Sequence, residues 1–187
     1  MNSTELFQHQ LRKGREGEDA FRIMANNHFD EVNDYTNYEM WKDVQSKGID
    51  FGFKKNHWSE EKTCDVKTNL IYQDNQYYTG YLFNIEYNKW DSKHINEHNK
   101  TEEKGWIQDS IANRIYHFEE GTMNYLYYDL DEMRSFIYRE WDKGPKYWLQ
   151  KLSYVGGYKS DYARMIPVRL NDERFKHLIR KIDIQGV

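Results

Sequence analysis

Proline and cysteine are almost missing from this chain: Pro145 and Pro167 are the only prolines in 187 residues, and Cys64 is the only cysteine. A single cysteine excludes an internal disulfide and a cysteine-based zinc site. There is no Pro/Gly/Ser-rich linker, internal repeat or low-complexity segment. One domain over 1–187 is therefore expected, long enough to bury a single core. No apolar run approaches the roughly 18 residues that suggest a membrane span, and Met1–Gln10 lacks a cationic start leading into a hydrophobic stretch. Neither a transmembrane helix nor a signal peptide is expected, and a cytoplasmic location is the default. Excess positive charge is also lacking, since the net charge is −4. That balance argues against tight, purely electrostatic binding of nucleic acid, although local basic patches still contact phosphate.

What the chain has in quantity is aromatic residues, 17% of the total against 38% hydrophobic residues overall. A core built more from Tyr, Phe and Trp than from Leu and Val is expected. The sixteen tyrosines suit strand packing first and base stacking second. Cys64 alternates toward the apolar side of its segment and reads as core.

The most informative residues are Asp50, Asp65 and Lys67. Residues 47–54 alternate, with Ile49, Phe51 and Phe53 on one face and Asp50 and Gly52 on the other. Residues 62–68 alternate as well, placing Cys64 and Val66 opposite Asp65 and Lys67. The period of two makes Asp65 and Lys67 neighbours on one strand face. Antiparallel pairing through the connection at 56–62 brings Asp50 beside them. Two carboxylates and one lysine make a hard-cation site with a general acid or base at its side.

Upstream, Phe7, Leu11, Gly14, Glu18, Phe21 and Ala25 are spaced as one stripe of an α-helix. Glu18 then sits inside an apolar stripe, where a lone carboxylate needs an ionic partner. The partner is either a metal ion or an ordinary salt bridge with Arg22 or a nearby lysine. Gly14 and Gly17 disfavour a helix interior, so either Gly14 starts the helix or something approaches it closely. Residues 80–87 read as a third strand, completing a meander. Residues 106–118 and 122–130 read as a strand pair, 131–141 as a helix with Met133, Phe136, Ile137 and Trp141 buried, and 143–157 as a short helical piece. A terminal strand and helix are expected over 161–182, the helix opening at Asn171 with Phe175, Leu178 and Ile179 inward. The polar segment near 88–105 reads as an insertion. His94 and His98 within it share a helix face but lack further ligands, so a charged surface is favoured over zinc.

The arrangement Asp50, Asp65-Val66-Lys67 resembles the PD-(D/E)XK nuclease superfamily, with Ile49 at the position of the motif's proline. Gly14-Arg15-Glu16-Gly17-Glu18 is similar to the acidic first helix of its resolvase-like and restriction-type members, and the order of elements to about residue 140 is similar to phage-type nucleases. The resemblance implies a mixed α/β fold with a restriction-endonuclease-like core, a central mixed β-sheet flanked by helices in the order αβββαβ. It implies a Mg²⁺-dependent deoxyribonuclease, with Mn²⁺ able to substitute, cutting DNA to leave 5′-phosphate ends. Asp50, Asp65, the Val66 carbonyl and Glu18 would hold the metal. Lys67 would orient or deprotonate the attacking water. Glu86 would be either a supporting acid or an exposed strand residue.

Lys54, Lys55 and Arg15 are the candidate DNA contacts. The basic residues of 174–181 read more readily as a solvated face. Tyrosine-rich strand edges could make a homodimer. The alternative is a catalytically inactive nucleic-acid-binding or interaction protein on the same fold.

Overall fold

The computed structural model describes residues 3–91, 103–141, 153–154 and 161–181. The chain opens with a long helix, α1 (Ser3–His28), followed by β1 (Glu31–Asp34), α2 (Tyr38–Gln45), β2 (Phe51–Lys54) and two long strands, β3 (Lys62–Asn75) and β4 (Tyr78–Asp91). Next come β5 (Glu103–Lys104), α3 (Trp106–Asp109), the pair β6 (Arg114–Glu119) and β7 (Tyr125–Asp129), and α4 (Leu130–Trp141). The described chain ends with β8 (Ser153–Tyr154), β9 (Asp161–Arg169), α5 (Glu173–Lys176) and β10 (Arg180–Lys181). This is a mixed α/β structure in which helices flank a multi-strand sheet. Among the described residues no helix is long and apolar enough to cross a membrane.

The organising element is β3, which takes part in two ladders. Its first half pairs antiparallel with β2, Phe51 opposite Cys64, and parallel with β6, Asp65 opposite Ile115 and Lys67 opposite His117. The register shifts between Lys67 and Leu70, and the second half forms a hairpin with β4. On one side the sheet continues to β1 through β2. On the other it runs through β6 and β7 to β10, while β4 carries β9 and β8.

Both faces of the central strands are covered, which explains why β6 and β7 read as nearly unbroken apolar runs. Tyr116, Phe118 and Tyr125 point to one core with Phe51, Phe53, Cys64 and the α1 residues Ala20, Phe21, Met24 and Ala25. Ile115, Leu126 and Tyr128 point to the other, shared with Ile107 of α3 and Met133, Phe136 and Ile137 of α4. Period-two alternation in the strands thus makes two cores, one per face.

Several expectations are corrected. The stripe of α1 that meets the sheet is Gly17, Ala20, Phe21, Met24 and Ala25, whereas Phe7 is 60% exposed and Leu11 is exposed too. The first half of α1 is fastened at its side by Lys13, 2.7 Å from Glu120. Gly14 lies inside the helix with open space around it, while a Cβ on Gly17 would lie 2.2 Å from Thr68 Oγ1. Only a glycine lets the helix settle so near β3. The strand at 80–87 exists within β4, but it pairs with the far half of β3. The antiparallel succession beside the acidic residues is completed by β1, a four-residue strand with no apolar alternation. Trp106–Asp109 is a helical turn, not a strand.

Ile49 belongs to the α3/α4 core, apart from Phe51 and Phe53. At the end of the chain the expected helix is one turn, capped by Asp172, with Phe175 and Leu178 buried before the chain enters β10. His94, His98 and most of 143–157 lie outside the described residues; Ser153 and Tyr154, expected within a helical piece, instead form β8 through pairing with β9.

Candidate active site

Asp50 is positioned by the turn before β2. Gly48 has φ of 71°, and a Cβ there would come within 2.8 Å of Ser110 Cβ, so both conformation and space require glycine. Ser110 Oγ donates to the Gly48 carbonyl at 3.0 Å, and the Ile111 amide donates to Lys47 O at 2.9 Å. The Asp50 amide donates to Cys64 O at 2.8 Å, its carbonyl accepts from the Tyr35 amide, and its Oδ2 accepts from the Val66 amide at 2.8 Å. Its carboxylate therefore lies across β3 beside Asp65.

Asp65 is only 2% exposed. Its Oδ1 lies 2.7 Å from Lys67 Nζ, and its Oδ2 is buried without a hydrogen-bond partner. An orphaned carboxylate oxygen in such a place is costly unless a cation meets it. The Lys67 side chain is 30% exposed, and its ammonium lies 5.7 Å from the centre of the Trp106 ring. Burial alone would lower the Lys67 pKa, but Asp65, Asp50 and Glu86 outweigh it and raise it above the usual value. Lys67 is therefore a proton-bearing cation at neutral pH.

Burial holds the Asp50 carboxyl well above its usual range, and Asp65 pushes in the same direction. Lys67 and the Val66 amide only partly oppose them. The folded-state pKa lies above the unfolded one. The resulting stabilisation is complete below the ordinary carboxyl pKa and is lost as pH rises through the folded value. Asp50→Asn removes this charge and can keep the Val66 hydrogen bond. In EDTA at neutral pH and above the variant is expected to unfold about 2–4 °C higher than wild type, equivalent to about 1 kcal/mol. The advantage should shrink toward pH 4. Thermal unfolding across pH checks it, and a difference independent of pH would contradict the assignment.

Asp65, Lys67 and Glu86 line a cleft of ≈ 170 Å³ with Lys47, Gly48, Lys104, Trp106, Asp109 and Ser110. Glu86, open to two readings in the sequence, thus borders the acidic residues from β4. Beside the cleft, His117 is fully buried opposite Lys67. Its Nε2 is 3.2 Å from Tyr128 Oη, Asn69 Oδ1 meets its Nδ1, and its ring stacks on Phe83. Burial, with help from Lys67, depresses its pKa and keeps it neutral.

Glu18 does not join this group. Beta3 turns Val66 and Thr68 toward α1, and Asp65 and Lys67 project from the opposite face. Burial raises the Glu18 carboxyl pKa; Arg22 opposes the shift, and Asp34 and Asp19 reinforce it. Arg22 gives its own hydrogen bonds to Asp34 and Asp19. Among the described residues no three His, Cys, Asp or Glu side chains converge as a metal-holding group. Arg15 is exposed on α1 within the field of Glu18. Lys54 and Lys55 lie at the far end of β2, roughly 13 Å along the strand from Asp50 at about 3.3 Å per residue.

Lys47, Lys104, Trp106, Ser110 and His117 were not legible as site residues. The parallel β3–β6 pairing and the Gly48–Ser110 contact that gather them are long-range and leave no local period. Cys64 is fully buried, and burial pushes its thiol pKa up, with Asp50 and Asp65 adding to the shift. It has no thiolate character. Comparison with protein-family models, curated proteins and solved structures returned no match.

Proposed function

We propose that this protein is a metal-dependent nuclease that hydrolyses DNA phosphodiester bonds, with Asp50, Asp65 and Lys67 at its centre. The observation that carries the reading is that Asp65 and Lys67 line one cleft with Asp50 directly beside Asp65, whose Oδ2 is buried and unpartnered. The chain order supports it: helix α1, the antiparallel strands β1, β2 and β3, helix α3, and β6 parallel to β3. This order is similar to the αβββαβ order that the resemblance implies, with α2 placed before β2 and β4–β5 placed before α3.

The donor set fits a hard divalent cation such as Mg²⁺ or Mn²⁺. Asp50, Asp65 and the Val66 carbonyl would hold it through oxygen, water completing the coordination. When bound, the ion would supply Lewis-acid polarisation of a phosphate oxygen and acidify a water. Lys67, kept protonated by its acidic neighbours, orients the attacking water and offsets charge that develops on the phosphate; it does not act as the base. The Asp50 carboxyl, which burial holds above its usual range, would have to be ionised to hold the ion, so affinity is expected to rise with pH. Attack on phosphorus breaks the P–O3′ bond and leaves 5′-phosphate and 3′-hydroxyl ends.

Incubation of supercoiled plasmid, linear duplex and single-stranded DNA with Mg²⁺ or Mn²⁺, against EDTA, tests the proposal. Metal-dependent cutting is expected. Folded protein that neither cuts nor gains thermal stability from either metal would refute it.

A further inference from the structure

The rim of the cleft differs from its floor. On the floor, Asp65 and Glu86 answer Lys67. On the rim, Lys47 and Lys104 form no ion pair with any described residue, and Asp109 is the remaining acid among the lining residues. The lining lysines balance the lining acids, so a divalent cation at the floor would make the cleft positive. Two unpaired ammonium groups beside it match a phosphate chain.

The same rim continues into α2. Gln45, its last residue, lines the cleft together with Ser46 and Lys47. Yet α2 fully buries none of its residues: Val44 packs partly buried against the main core, while Tyr38, Met40 and Trp41 are left exposed. Met40 is 71% exposed and Trp41 38%, and Tyr38 is exposed beside them. The Trp41 indole is not loose: it stands edge-on to Tyr35 at 5.0 Å and 73°, and Tyr35 packs on the main core. A fixed, exposed indole four residues before the cleft wall is a surface for one planar ring. A paired base inside a duplex presents no free face to it, whereas an unpaired base does.

Building on the nuclease reading, we infer that the substrate reaches the site as an unpaired strand, its phosphates held by Lys47 and Lys104 and a base stacked on Trp41. This assigns the strand grip to the cleft rim, and the strand-end pair Lys54 and Lys55 takes no part in it. DNA and RNA single strands share this chemistry, and the experiment separates them.

Binding of fluorescein-labelled oligothymidylate, oligouridylate and a mixed-sequence duplex, each of about 20 nucleotides per strand, would be measured by anisotropy in EDTA and again with Ca²⁺. At least one single strand is expected to bind more tightly than the duplex. Trp41→Ala should weaken that binding about tenfold, and Trp41→Phe should restore most of it. The Lys47→Ala/Lys104→Ala variant should flatten the salt dependence by about 0.7 per lysine. Duplex binding equal to or tighter than both single strands, Trp41→Ala within about twofold of wild type, or no binding of any nucleic acid would each overturn the inference. Metal-dependent cutting combined with binding indifferent to Trp41 would overturn it and leave the nuclease reading intact. The expected binding without any cutting would do the reverse.

Discussion

Lys67→Ala is expected to lower metal-dependent cleavage by about 10²–10³-fold, the scale on which removal of one preorganised charge donor acts. The loss should fall on the rate at saturating substrate, because Lys47 and Lys104, the proposed strand grip, remain at the cleft. Stability should change too. Lys67 Nζ sits 2.7 Å from Asp65 Oδ1, and without it two neighbouring carboxyls face burial with no cation. In EDTA at neutral pH the variant is expected to lose about 1–3 kcal/mol, as when one member of a largely buried pair is removed. Mg²⁺ should return much of that loss, since a divalent ion meets the same oxygens. Urea unfolding with and without Mg²⁺, beside the cleavage assay, separates this from a merely structural role. An inactive variant whose stability ignores Mg²⁺ would place Lys67 in the scaffold.

Phe21→Ala should produce the largest loss of stability. Phe21 is fully buried, with its ring 4.6 Å from Phe51, 4.9 Å from Tyr116 and 6.1 Å from Phe53. It is the side chain by which α1 enters the sheet, between Gly17, which cannot grow, and Met24. Truncation removes the transfer energy of a phenyl ring and leaves a cavity that rigid aromatic neighbours cannot fill. A cost of about 3–5 kcal/mol is expected, read as a lower urea midpoint at unchanged slope. Phe51 directly follows Asp50, so metal-dependent activity should fall as well. A loss below about 1 kcal/mol would mean that α1 is held elsewhere.

How much of this was legible in the sequence depended on the range of the contact concerned. The alternation of Cys64 and Val66 against Asp65 and Lys67 is local, and the strand shows it in that form. Phe136 and Ile137 of α4 were readable from helical spacing for the same reason. The face of α1 was misread because its contact surface is made of Gly17, Ala20 and Ala25, which carry little hydrophobic signal, while Phe7 and Leu11 lie beyond the sheet. Beta1 was missed because a four-residue edge strand with exposed Glu31, Asn33 and Asp34 has no apolar period. The terminal helix was cut to one turn by pairing of Arg180 and Lys181 with β7, a tertiary demand that outweighs spacing. At the site, three of the four expected catalytic side chains meet. The fourth, Glu18, is separated from them by the thickness of the sheet.

The parallel ladder between β3 and β6 also sets an order in time. Its first hydrogen bond beyond the strands, from the Thr63 amide to Asn113 Oδ1, closes a separation of 50 residues, whereas the β3–β4 and β6–β7 hairpins close over short turns. Long loops lose more entropy before any contact repays it. The hairpins are therefore expected to form before the ladder, and the cleft lined by Lys67 and Trp106 is complete only once β3 and β6 have paired. Until then Asp50 and Asp65 remain in water, where their charges are solvated, so a partly folded chain would lack the arrangement on which the proposed activity depends.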